Sequence, residues 1–156
     1  MTPAAFAAKW KGSTLTERSA SQSHFSDLCR MLGWRTPTDD DPTGERFVFE
    51  KGAAKTGGGD GFADVWRKDC FAWEYKGKRK DLDAAYTQVL QKYREQLGNP
   101  PLLVVSDFDR YEIHTNWTNT VHKIFTVNLE GLTDAANRDL LRNAFLDPER
   151  LKPEKT

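Results

Sequence analysis

The stretch from Gly61 to Lys76 (Gly-Phe-Ala-Asp-Val-Trp-Arg-Lys-Asp-Cys-Phe-Ala-Trp-Glu-Tyr-Lys) constrains this chain more than any other. Its apolar, aromatic-rich runs flank Arg67-Lys68-Asp69, which predicts a β-hairpin from Phe62 to Lys76 turning near that tripeptide. Side chains alternate faces along a strand, so Glu74 and Lys76 share one face. Nine residues separate Asp64 from Glu74, a spacing that suits a tight hairpin with Asp64 across from Glu74. Three ionisable groups then converge, flanked by Ala63, Val65, Ala72 and Tyr75. Two carboxylates this close repel unless a positive charge lies between them. Mg²⁺ (or Mn²⁺) meets that need, because it takes oxygen ligands and keeps several waters. The backbone carbonyl of Tyr75 would add a third protein oxygen. Such an ion polarises a phosphate and acidifies its bound water. Lys76 would orient or deprotonate that water and stabilise the charge building on phosphorus. The bland alternative is an edge hairpin with solvated charges.

The rest of the chain supplies an α/β frame. Pro3 with Phe6 and Trp10 predicts a first helix. Thr14-x-x-Glu17 reads as a capping box for a second, with Phe25, Leu28, Cys29 and Leu32 on its apolar face and Gly33 as its stop. Residues 35–45 are turn-rich and predict a loop, Phe47-Val-Phe49 a short strand, and 51–61 a glycine-rich flap. Asp81 caps a helix to Leu97, closed by Gly98, with Leu82, Tyr86, Val89, Tyr93 and Leu97 as its apolar positions. Leu102–Val105 follows as a buried strand, parallel to its predecessor because a helix intervenes. Tyr111–His114 and Val121–Val127 predict two more strands, and Thr133-Asp134 caps a last helix to about Phe145. The expected architecture is a mixed central sheet flanked by helices, one domain over 1–146 with a linker-like tail at 147–156.

Three blocks carry a resemblance: Gly61-Phe-Ala-Asp64-Val-Trp66, Trp73-Glu-Tyr-Lys-Gly-Lys-Arg-Lys-Asp-Leu-Asp-Ala-Ala-Tyr86-Thr-Gln88, and Leu103-Val-Val-Ser-Asp-Phe-Asp-Arg-Tyr111. They resemble the amino-terminal PD-(D/E)XK nuclease domain of MmeI-like enzymes, type II enzymes that fuse restriction to modification in one chain. A weaker likeness extends upstream to Glu17. The resemblance implies a restriction-endonuclease-like core that hydrolyses DNA phosphodiesters. Its acid and acid-x-lysine pair fall on Asp64, Glu74 and Lys76. It also implies that Gln88 lies close to the lysine and that Glu17 approaches the metal; Glu17 reads equally as the acid of the capping box. One departure is that Gln88 and Tyr93 are five apart, where related nucleases often space the pair by four. Methyltransferase and target-recognition domains would lie beyond the tail, and S-adenosylmethionine would serve only the full-length protein. The expected partner is double-stranded DNA, with a transient dimer for cutting both strands.

Charge tempers that reading. Lys+Arg and Asp+Glu both number 23, so long-range attraction to DNA is small. Lys78-Arg79-Lys80 is the obvious basic run, either a phosphate contact or a solvated loop. The isolated domain is therefore expected to bind DNA weakly and cut poorly. Cys29 and Cys70 read as free thiols of a cytoplasmic protein, His24, His114 and His122 are scattered, and Asp107 and Asp109 read as turn residues. No apolar run approaches the roughly 20 residues that span a membrane. The rival readings are a non-catalytic nuclease-like DNA-binding or scaffolding domain, a stand-alone repair nuclease of the same superfamily, and an unrelated interaction module.

Overall fold

Helix α1 (Pro3–Lys11) begins where Thr2 accepts a hydrogen bond from the Ala5 amide and Pro3 occupies a first-turn position that needs no N–H. The computed structural model describes residues 1–15, 17–52, 62–77 and 81–156, with 17–19 as backbone alone. Phe6 and Trp10 are buried, as their spacing predicts. A cap at Thr14 implies a helix from Leu15, but Leu15 lies outside helix α2 (Glu17–Leu32), and the Glu17 side chain lies outside the described residues. Phe25, Leu28, Cys29 and Leu32 form its buried face. It ends at Gly33, whose φ of 77° lets the Gly33 and Trp34 amides bond the carbonyls of Arg30 and Cys29. The predicted loop 35–45 contains a one-turn helix, α3 (Pro37–Asp40), with Pro37 fixing φ at its start.

Among the described residues six strands form one sheet in sequence order: β1 (Phe47–Lys51), β2 (Ala63–Arg67), β3 (Phe71–Tyr75), β4 (Leu102–Ser106), β5 (Arg110–Thr115) and β6 (Ile124–Asn128). Only β3 and β4 run parallel; the other neighbours are antiparallel. The hairpin β2–β3 turns through Lys68–Cys70, with Asp69 at φ 63° and the Cys70 amide bonding the Arg67 carbonyl. Strand β6 starts at Ile124, not Val121, because the Val121 amide is taken by the Glu154 carbonyl.

Alternation sorts the sheet's two faces. On one, Phe47, Val65, Phe71, Trp73, Tyr75, Val104, Tyr111 and Ile113 pack against α1, α2 and α5 (Ala135–Leu146). Phe25 and Phe145 stack at 5.6 Å in that layer. Asp134 caps α5, as predicted. On the other face, Trp66, Ala72, Leu103 and Val105 pack under a single helical segment.

That segment differs from the regular helix expected over 81–97. Asp81 caps α4 (Leu82–Ala85), which widens into a π-helical turn over Tyr86–Gln91. Bonds of i→i+5 type bring residues five apart onto one side, so the buried pair is Ala85 and Leu90. The Trp66 indole N–H donates to the Leu97 carbonyl, and Gly98 (φ 80°) closes the segment through Gly98→Glu95 and Asn99→Arg94 amide bonds.

Residues 147–156, expected to be linker-like, are docked. A 3₁₀ turn (Pro148–Leu151) buries Leu151, and Lys155 bridges Thr120. Among the described residues no helix is long and apolar enough to cross a membrane.

Candidate active site

The β2–β3 ladder pairs Arg67 with Phe71, Trp66 with Ala72 and Val65 with Trp73. Continued by one residue, it sets Asp64 opposite Glu74. The ladder's bonding then changes partner. The Tyr75 amide, 2.8 Å from Asp64 Oδ2, donates to this carboxylate instead of to a strand carbonyl. The next amide, Lys76, turns the other way and donates to Ser106 on β4 at 2.8 Å. N–H and C=O of one strand residue point to the same side. The Tyr75 carbonyl therefore faces the same gap as Asp64. Lys76, two residues past Glu74, shares the Glu74 face, and all three ionisable side chains are half-buried.

This group lies at the carboxyl ends of the parallel pair β3–β4, where open α/β sheets place their ligands. Leu82, Ala85 and Leu90 cover the neighbouring face. Among the described residues, no cluster of three or more His, Cys, Asp or Glu side chains is arranged to hold a metal. A cation here would rest on two carboxylates, the Tyr75 carbonyl and water. That set suits Mg²⁺, which is commonly held by one or two carboxylates while keeping several waters.

The remaining expected site residues fare differently. Gln88 lies in the π-helical turn, exposed, and among the described residues no hydrogen bond joins it to Lys76. Tyr93 lies beyond that turn, its amide bonding the Val89 carbonyl four residues back. Lys78, Arg79 and Lys80, like the glycines of the expected flap, lie outside the described residues. Asp107 is a turn residue as read: its Oδ1 accepts from the Asp109 and Arg110 amides.

The family model described as "MmeI, N-terminal domain" matches residues 1–155. The chain belongs to this family. No curated protein and no solved structure matches it.

In this MmeI-type N-terminal domain, sequence reading missed two histidine-centred groups. His24, fully buried, lies between two phenols: Nδ1 is 2.8 Å from the Tyr75 hydroxyl and Nε2 3.1 Å from that of Tyr111. Burial, then the neighbouring Tyr111, Cys29 and Asp64, holds the Tyr75 phenol well above its usual pKa; burial does the same for Tyr111, helped by Asp109 and Asp107. On the opposite face, His114 Nδ1 is 3.1 Å from His122 Nε2, and the Tyr86 ring stacks on His114 at 3.8 Å. Among the described residues His114 Nε2 and Glu112 Oε1 are buried without hydrogen-bond partners and face each other across 3.9 Å. Burial, then His122, pushes the His114 pKa down to about 4, and burial raises that of Glu112. Pairing places Glu112 opposite Val105, which is itself opposite Glu74, so this group shares the face of the carboxylate pair two strands away. Separations of 51 and 87 residues hide the first group from any local pattern; the alternation of Glu112 and His114 signals only a shared face.

Proposed function

We propose that this domain is a Mg²⁺-dependent endonuclease with a PD-(D/E)XK core, the DNA-cleaving module of a fused restriction–modification enzyme. The observation that carries the reading is the 2.8 Å bond from the Tyr75 amide to Asp64 Oδ2, which ties Asp64 to the strand end that bears Glu74 and Lys76; the β2–β3 register, extended one residue past Val65–Trp73, would set Asp64 opposite Glu74. Family membership and the β2–β3–α4–β4 order support it.

Asp64, Glu74 and the Tyr75 carbonyl would hold the cation. When bound, it supplies Lewis-acid polarisation of the scissile phosphate and acidifies water. Lys76 orients the attacking water and neutralises charge on the non-bridging oxygens as the new P–O bond forms and the bond to the leaving oxygen breaks. Asp64 has a second duty, since its Oδ2 holds the Tyr75 amide and so fixes the strand end on which Glu74 and Lys76 ride. One such site cuts one strand, and a double-strand break requires a second copy.

Plasmid nicking by the intact enzyme tests this. Asp64→Asn keeps an oxygen for the Tyr75 amide but removes the charge; it and Lys76→Ala should abolish nicking while circular dichroism stays unchanged. Undiminished nicking by a folded Lys76→Ala enzyme would refute the assignment.

A further inference from the structure

We infer that the buried chain Tyr75–His24–Tyr111 is a positioning network that fixes the orientation of Glu74 and Lys76, a role that rests on the proposed site. Tyr75 stands between these two residues, and strand alternation sends its side chain to the opposite face of the sheet. It is gripped from three directions. Its amide donates to Asp64 at 2.8 Å, its hydroxyl meets His24 Nδ1 at 2.8 Å, and its ring stacks on Phe108 at 4.9 Å. His24, carried by α2, is in turn tied to Tyr111 on β5 at 3.1 Å. Trp10, Phe6 and Phe108 pack edge-on around the imidazole at 4.9–5.2 Å.

All three polar side chains are 0% exposed. Apolar rings of similar shape would fill this layer without burying any polar group, and replacing both partners of a buried hydrogen bond in this way can be nearly neutral. What the polar chain adds is direction. A neutral imidazole offers one donor and one acceptor, and each phenol offers both. The chain is satisfied with the protons running either from Tyr75 through His24 to Tyr111 or in reverse, and in both cases the Tyr75 hydroxyl is held by His24 Nδ1 at 2.8 Å. Rotating the Tyr75 side chain or its peptide would break this chain and swing the Glu74 carboxylate and the Lys76 ammonium, which leave the same strand on the other side.

The test uses Tyr75→Phe, which deletes one oxygen, with His24→Phe and Tyr111→Phe as companions in the 156-residue chain. Three readouts are compared: the urea midpoint, Mn²⁺ affinity by calorimetry, and amide exchange at Tyr75 and Lys76 against the β4–β5 amides. Positioning predicts Mn²⁺ affinity lowered about tenfold, the scale for partners just outside a ligand shell. It also predicts lost protection confined to the Tyr75 and Lys76 amides, and a urea midpoint that does not fall in step. Tyr111→Phe leaves Tyr75 intact and releases only the far end of His24, so it should act in the same direction and less strongly. Unchanged exchange at both amides in a folded Tyr75→Phe or Tyr111→Phe chain overturns the inference. A uniform loss of protection across the sheet, matched by the urea midpoint, also overturns it and leaves a packing role. A wild-type chain that binds no Mn²⁺, or Mn²⁺ binding that is undiminished in Glu74→Gln, refutes the proposed metal site instead, and the exchange comparison still decides the positioning role.

Discussion

Acidification should destabilise the fold through His114, by an amount that the structure bounds. The imidazole is 2% exposed, stacked under Tyr86 and hydrogen-bonded to His122, and its pKa falls from 6.5 to about 4. The unfolded chain therefore takes up this proton first. The stability that depends on a neutral His114 is fully present above about pH 6.5, declines as the pH falls, and levels off below about 4. The fall from 6.5 to about 4, at about 1.4 kcal/mol for each pH unit, gives an upper bound of about 3.5 kcal/mol. Glu112 faces the same ring with its pKa raised, so it binds its proton more readily folded than unfolded and offsets part of the loss at the acid end. Urea unfolding of the wild type and of His114→Phe, which keeps a ring under Tyr86, should be compared across this range. The wild type should lose stability relative to the variant with a slope approaching 1.4 kcal/mol per pH unit near pH 5 to 6. Parallel curves would show that His114 titrates as it does in the unfolded chain and would refute the argument.

Mg²⁺ or Mn²⁺ should raise the thermal midpoint, since a ligand that binds only the folded state stabilises it; differential scanning fluorimetry should show the shift lost in Glu74→Gln. Gly98→Ala should cost about 1 kcal/mol in urea unfolding, because the residue sits at φ 80° and closes the segment after α4. The isolated chain should bind random and defined duplexes alike, no tighter than about 10⁻⁴–10⁻⁶ M, with affinity falling steeply in a salt titration. Tight sequence-selective binding would place recognition inside these residues.

Local pattern carried the reading furthest where partners are close in sequence. The hairpin bearing Asp64 and Glu74 was legible because its apolar runs flank a three-residue turn. The parallel β3–β4 pair followed from the helix between its strands. The helix stop at Gly33 was legible from glycine; Gly98 instead closes a run of turns, because the helical segment itself ends at Gln91. The π-helical turn was not legible: the helical period correctly selects Leu82 and Leu97, but it passes over Ala85 and Leu90, which the widened turn buries while Tyr86 and Val89 stay partly buried. Helix α3 was hidden because Thr-Pro followed by aspartates suits a turn and a helix start equally. Both histidine groups were invisible as groups: His24 meets its phenols only after β3 and β5 are brought under α2. The docking of Leu151 was masked by the prolines and charges around it.

The sheet's strand order has a consequence for the order of events during synthesis. Each strand pairs with the strand next to it in sequence, so β1, β2 and β3 can zip together as soon as they have emerged. Strand β3 then waits: its other edge, including the Lys76 amide, has no partner until Leu102–Ser106 arrives after the whole α4 segment. Closing that parallel pair is the one ladder that must enclose a long stretch of chain, and such closures are slow because the loop's entropy is lost before any contact compensates. A nascent chain stalled before Leu102 would carry Asp64, Glu74 and Lys76 on a strand with one bare edge, a species prone to pair with its like. The residues proposed to cut DNA thus come under structural control only once the following strand is made.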